Sequence, residues 1–528
     1  MSGTVSPAQL HAMQLDGAEL ALLDVREEGA FFHSHLLWAV NLPLSRLELK
    51  IADLVPRRDV RTVLCDAGDG LAERAAVRLA ELGWRDASIL AGGTPAWGAA
   101  GYELFSGMNV PTKAFGEFVE HAYHTPSISA EELKAMMEGG EKLVVLDSRP
   151  MDEYEVMNIP SGVCCPGAEL VYRVGTVAPS PDTTIVVNCA GRTRSIIGAQ
   201  SLINAGIPNK VVALRNGTMG WHLAGLELET GNRRHAPEPT GEARAGAEAA
   251  AAAVAERFGV RRIDAATLAD WRGHAGRTTF LLDVRSPEEY AAGHLPGAIC
   301  APGGQLVQAT DRYVGVRNAR LVLADDTGVR ATMTAHWLLQ IGWEVYVLGG
   351  GLPDAGLERG AQPQHHVGME PVEEIVPGEA AALLERGAAE ALDLADSRTY
   401  RKAHIPGALW GVRSRLEKLL AATTGNGMLV VTSPDGLVAR LAAADLGRMT
   451  DRSVRVVAGG TEAWQAAGLP TTEGRERMAD TADDVALRPY DREDGIEDAM
   501  REYLSWEVEL VRQIEREGTV RFRSVPPA

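Results

Sequence analysis

The chain has 528 residues, 45% of them hydrophobic, which is enough apolar material for several ordinary globular cores. A formal net charge of −19 argues against nucleic acid or an anionic membrane surface as a partner, no apolar run reaches transmembrane length, and the N-terminus lacks a signal-peptide pattern. Five cysteines (Cys65, Cys164, Cys165, Cys189 and Cys300) show no metal-ligand spacing and point to free thiols in a reducing cytoplasm, with no bound metal.

In chain order, one pattern recurs four times. Residues 22–35 read Leu-Leu-Asp-Val-Arg, then Phe31 and His35. The same phrase returns around Asp147 (Tyr154, Asn158), Asp283 (Tyr290, His294) and Asp393 (Tyr400, His404), the aromatic always seven residues after the aspartate and the His or Asn eleven after. Three copies run on into a turn at Pro160-Ser161-Gly162, Pro296-Gly297 or Pro406-Gly407; Leu37 replaces the proline in the first. Each unit then shows a second strand, a loop, a helix and a closing strand. The closings are Ala91-Gly92-Gly93-Thr94 with Trp97, Asn216-Gly217-Thr218 with Trp221, Gly349-Gly350-Gly351, and Ala458-Gly459-Gly460-Thr461 with Trp464. The glycines suit strand-to-helix turns, and the tryptophans suit core packing. Strands alternating with helices predict an α/β fold, each unit a mainly parallel sheet flanked by helices.

Linkers at 106–128, 231–257 and Gly368–Pro371 divide the chain into units at 1–112, 113–238, 239–370 and 371–474. Within the second linker, Ala249–Val254 suggests a short helix. Residues 475–528 form an acidic tail, in which Met500, Tyr503, Leu504, Trp506, Leu510, Val511 and Ile514 recur at near-helical spacing over 494–517. This predicts a C-terminal helix docking on the body; an interface helix for a partner or second subunit is the alternative.

The chemistry concentrates in unit two, at Ile185-Val186-Val187-Asn188-Cys189-Ala190-Gly191-Arg192-Thr193-Arg194-Ser195. This reads as a buried strand, a tight loop with a thiol at its base, and a helix opening at Ser195. A helix N-terminus leaves about four N–H groups without internal partners, and these favour negative charge. With Arg192 and Arg194 nearby, the thiol is expected to titrate at or below neutral pH, and the same donors would hold a persulfide or an oxyanion. The plainer alternative is a structural cysteine at a strand end.

Cys189 through Ser195 resembles the active-site loop of rhodaneses, the sulfurtransferases that carry sulfur as a cysteine persulfide. Their usual loop is Cys-x-x-Gly-x-Arg-Ser. Arg194 and Ser195 match it, whereas Arg192 stands where the glycine is expected and Gly191 lies one position early. The repeated Leu-Leu-Asp-Val-Arg and Gly-Gly-Thr-x-x-Trp phrases extend the resemblance over residues 5–474, as four tandem rhodanese-like modules plus the C-terminal helix. The resemblance implies a nucleophile, Cys189, that takes the outer sulfur of thiosulfate or a related donor and passes it to cyanide or a thiol. Ala190, Gly191, Arg192, Thr193, Arg194 and Ser195 would bind substrate, and Arg173 would reach over the pocket. No metal or organic cofactor is implied. The partners are a small-molecule sulfur donor and acceptor, or a protein thiol acceptor; the oligomeric state stays open. A persulfide relay or regulatory sulfur-binding protein is the second reading. A phosphatase or arsenate reductase on the same fold is disfavoured, because those loops are one residue longer.

The repeats supply an internal control. Gapless alignment puts Asp66 and Asp325 at the position of Cys189, and Cys65 opposite Asn188; in unit four Thr432 or Ser433 takes the place. Units one, three and four are therefore read as inactive in sulfur transfer, either as scaffolding or as ligand-sensing and docking modules. Cys164 and Cys165 are either resolving thiols for Cys189 or small apolar fillers. Asp147 and Arg149 read as a structural pair.

Overall fold

The computed structural model describes residues 3–353 and 355–526. It contains four five-stranded sheets, all of whose strand pairs are parallel, one from each repeat. Counting strands along each unit, the order across every sheet is 1-5-4-2-3. The central strand, fourth along the chain, is Thr62–Cys65, Thr184–Asn188, Arg320–Ala324 and Met428–Thr432 in the successive units. These strands are β-branched or leucine-rich and buried on both faces, as expected for a parallel sheet covered by helices on each side.

The repeated phrase has a repeated structural job. The aspartate ends the second strand and grips the arginine two residues on through both carboxylate oxygens. Arg149 donates to Asp147 at 2.8 and 2.7 Å and reaches the Met157 carbonyl at 2.7 Å. Asp24–Arg26 and Asp283–Arg285 repeat this arrangement. The histidine eleven residues on lies flat against the aromatic ring, with centroids 3.7 to 3.9 Å apart in units one, three and four. Its Nδ1 contacts that aromatic residue's carbonyl, and Asn158 Nδ2 donates to Tyr154 in the same way. His35, Asn158, His294 and His404 each pair their backbone with the segment that follows the unit's last helix, which closes the module. Trp97, Trp221 and Trp464 are buried, each donating its indole N–H to a carbonyl six residues downstream.

Units two and three share a seam. The second linker is more ordered than its composition suggests: instead of a short helix at Ala249–Val254 it forms one from Gly241 to Phe258, because its small alanines let it lie between Leu170–Val177 of unit two and Val329–Ile341 of unit three. Across the same seam Trp337 donates to Ser201 at 2.8 Å. Units one and four meet through Arg413, which donates to both oxygens of Glu48, and through Ser414, which donates to Glu27. The C-terminal helix spans Ile496–Glu517 and docks on the helix Val110–Tyr123, which lies in the linker between units one and two.

Candidate active site

Cys189 follows the middle strand of its sheet, at the carboxyl end where open parallel sheets place their ligands. The helix after it begins at Thr193, two residues earlier than its composition implies, and runs to Asn204. The loop is pinned from below by the closing turn: Thr218 N donates to the Cys189 carbonyl at 2.8 Å and Met219 N to that of Ala190 at 3.0 Å. Gly217 stands there at φ +53°, where a Cβ would come within 2.4 Å of the Cys189 oxygen. Only glycine tolerates both that dihedral and that approach.

The sheet register settles the equivalence of the four units. The aspartate of strand two pairs with Cys65, Asn188, Ala324 and Thr432. The next residues, Asp66, Cys189, Asp325 and Ser433, are therefore counterparts, and unit four's representative is Ser433 rather than Thr432. In units one, three and four that side chain occupies the cradle of its own loop. Asp66 accepts from the N–H groups of Gly68 and Ala72 at 2.8 and 3.0 Å. Asp325 accepts from Gly328, Arg330 and Ala331, and Ser433 Oγ from Ala439. Unit two alone has a thiol at this position, with Sγ 3.6 Å from Ser195 Oγ.

The electrostatics differ from the expectation of a low-pKa thiol. Cys189 is 2% exposed. Burial pushes its thiol above the ordinary cysteine value, and Glu507 adds to the rise; Arg194, the Ser195 hydroxyl and the Ser195 N–H oppose it without prevailing. The two loop arginines are engaged. Arg192 donates to both oxygens of Glu117 at 2.7 and 2.8 Å and to Glu120 at 2.5 Å. Arg194 donates to both oxygens of Glu153 at 2.9 and 2.8 Å, and holds that carboxyl down at about 2 against its desolvation. Arg330 and Glu289 repeat this pair in unit three, where no thiol is present. Arg173 does not reach over a pocket. It lies in the seam between units two and three, with its guanidinium on Glu169, Glu238 and the Ala236 carbonyl. Cys164 and Cys165 are buried; burial lifts the first to about 12 and the second well above the usual thiol range. Both are fully buried, which fits the apolar-filler alternative.

The C-terminal helix brings residues that the sequence reading did not place at the site. Ala190 and Met219 pack with Met500 and Leu504, flanked by Tyr490 and Tyr503. Glu507, 1% exposed, faces Gly191: its Oε2 lies 3.2 Å from where a Gly191 Cβ would stand. Thr193 Oγ1 and the Tyr503 hydroxyl donate to Glu507 Oε1 at 3.2 and 3.0 Å. Lys113 Nζ sits 4.7 Å from the ring centres of both Tyr503 and Trp506, and burial draws its ammonium down to about 8. One signal was available beforehand: Glu507 interrupts the apolar stripe formed by Met500, Leu504, Val511 and Ile514. No group of three or more His, Cys, Asp or Glu suited to a metal is present among the described residues.

Comparison with known proteins agrees with the repeat. The rhodanese-like domain family model matches residues 6–100, 129–224, 264–355 and 376–467. The crystal structure of a thiosulfate sulfurtransferase from Pseudomonas aeruginosa is 50% identical, covering 99% of this chain and 100% of its own, with a TM-score of 0.96. The HTH-type transcriptional regulator Rv0324 of Mycobacterium tuberculosis is 31% identical over 105 residues, 20% of this chain and 45% of the regulator. The chain spans about half the length of the curated relatives it matches. Four matched segments, four sheets of one strand order and one register across their central strands make this chain a member of the rhodanese-like domain family, built as four tandem modules.

Proposed function

We propose that this protein is a sulfurtransferase that carries sulfane sulfur on Cys189 as a persulfide, taking it from thiosulfate or a related donor and giving it to cyanide or a thiol. One observation carries the reading: at four equivalent loop positions, only unit two offers a thiol, while Asp66, Asp325 and Ser433 fill their own cradles. A carboxylate or an unactivated hydroxyl cannot hold sulfane sulfur, so the chemistry belongs to unit two and the other modules serve as scaffold. The name of the Pseudomonas aeruginosa structure supports the same activity.

In the proposed first step, Cys189 Sγ attacks the outer sulfur of the donor. The new S–S bond forms as the bond to the sulfonate sulfur breaks, and sulfite leaves with the electron pair. The N–H groups of the loop, and that of Ser195 in particular, then hold the terminal sulfur anion. In the second step a thiolate or cyanide takes that sulfur and Cys189 is regenerated, which gives ping-pong kinetics. Arg194 acts by its field on the sulfur, since its hydrogen bonds go to Glu153.

The relay reading keeps one supporting observation. Both loop arginines are neutralised by glutamates and the thiol is covered, so a small dianion meets no unpaired loop guanidinium. A groove beside the cover, lined by Met157, His222, Tyr490, Ile496 and Met500, offers a surface for a protein donor or acceptor. The test is thiocyanate formation from thiosulfate and cyanide by wild type and Cys189→Ser, with intact mass after thiosulfate. Turnover and one added sulfur, both lost in the variant, support the transferase. Added sulfur without turnover moves the reading to the relay. No added sulfur from any sulfane donor overturns both.

A further inference from the structure

The buried side of the C-terminal helix is apolar between Ala499 and Ile514 except where it meets the cysteine loop; Glu517, buried at the helix end, accepts from Thr519. There Met500, Leu504, Leu510 and Ile514 give way to the carboxyl of Glu507. A carboxyl in such a stripe costs free energy that a leucine would not, unless every lone pair or proton is satisfied. Oε1 is satisfied by Thr193 and Tyr503. Oε2 is buried, has no hydrogen-bond partner among the described residues, and points at Gly191, two residues from Cys189. A helix more than 300 residues away in sequence thus delivers one unsatisfied acid oxygen to the reacting loop.

We propose that Glu507 is the proton carrier of the Cys189 site, taking the thiol proton as Sγ attacks a sulfane donor and passing it to the leaving oxyanion. The proposal rests on the sulfurtransferase reading above. Its balance with thiosulfate is complete: the Cys189 thiol and the donor dianion give the Cys189 persulfide anion and hydrogen sulfite. The S–H pair becomes the new S–S bond, the old S–S pair leaves with sulfite, and the proton travels by way of Glu507. In the return step the same carboxylate accepts the proton of an incoming thiol, and the Cys189 sulfur recovers it.

The need for such a group follows from the burial that holds Cys189 as a thiol rather than a thiolate. Burial also lifts the Glu507 carboxyl above its ordinary value, which brings an acid–base group closer to neutral pH. The groups that face it are Lys113 and Glu117 on the helix Val110–Tyr123, Tyr503 on its own helix, and Arg192, Thr193 and Cys189 on the loop. Lys113 draws the carboxyl down and Glu117 lifts it.

The experiment measures persulfide loading of the full-length protein by thiosulfate, using quenched time points and intact mass, from pH 5 to 9. Glu507→Gln keeps the shape and the Thr193 contact. It is expected to slow loading at pH 7 by about 100-fold and to abolish the acid limb of the profile. Glu507→Asp is expected to restore part of the rate with the limb present, and Lys113→Met to move the limb to higher pH. A folded Glu507→Gln variant that loads within about threefold of wild type, or that slows equally at every pH with the acid limb retained, overturns the proposal. A wild type that gains no sulfur removes the sulfurtransferase reading, and the proposal with it.

Discussion

Replacing Arg194 by methionine separates the two roles that its position gives it. The guanidinium holds Glu153 through two hydrogen bonds, and both side chains are 15% exposed. Glu153 sits at about 2 instead of the usual 4.5, which at about 1.4 kcal/mol per pKa unit corresponds to about 3 kcal/mol of stability. The folded value is the depressed one, so this stability is present above pH 4.5 and disappears as the pH falls from 4.5 towards 2. Breaking a buried pair from one side costs roughly 3–5 kcal/mol, so the two routes to the magnitude agree. Arg194→Met should therefore lower the urea midpoint of the transition that includes unit two at pH 7, with the gap narrowing below pH 4.5 and closing near pH 2. Glu153→Gln on the same chain should recover most of that loss, since a neutral amide needs no cation. Loading of Cys189 should not recover: Arg194 is the largest influence lowering the thiol's pKa, and each pKa unit gained removes about tenfold of thiolate. A double variant that loads at the wild-type rate would show that Arg194 serves only as the partner of Glu153, as Arg330 serves Glu289 in unit three. A double variant as unstable as the single one would refute the energetic argument.

Cys65→Ser should leave sulfur loading unchanged, because the register puts Cys65 opposite Asn188 and burial raises its thiol well above the usual range; thiocyanate assay of the folded variant checks this. Gly217→Ala should cost about 1–3 kcal/mol in thermal stability and most of the activity, since its Cβ would displace the Cys189 carbonyl; melting and loading rates measured together test it. Asp393 lacks the arginine of its counterparts, Ala395 standing there instead, and burial lifts its carboxyl to about 7. Because the folded value is the raised one, unit four should lose up to ~4 kcal/mol between pH 4 and 7, and Asp393→Asn should flatten that slope in pH-dependent melts.

The repeat, the parallel α/β modules and the one loop position that carries a thiol were legible in the sequence because they depend on local chemistry. An aspartate that ties the arginine two residues on, a ring seven residues on and a histidine one helical turn beyond it all act within a single strand–helix step. Positive-φ glycines and a strand-to-helix loop likewise declare themselves by residue type and spacing. Even the distinction between Cys65 and Asp66 followed from counting, because a parallel register is fixed once the turns are. What the sequence could not assign was which distant charge meets which. Arg192 reads as a substrate clamp until Glu117 and Glu120 arrive on the preceding helix, and Arg173 reads as a pocket residue until Glu169 and Glu238 hold it in the seam. The thiol's acidity reverses for the same reason: local donors and dipoles favour the anion, but desolvation is set by everything packed above the loop. That cover is the C-terminal helix, and only the tertiary structure sets Tyr503 and Glu507 against Gly191, since side-chain spacing encodes a helix's own faces but not the surface on which it docks.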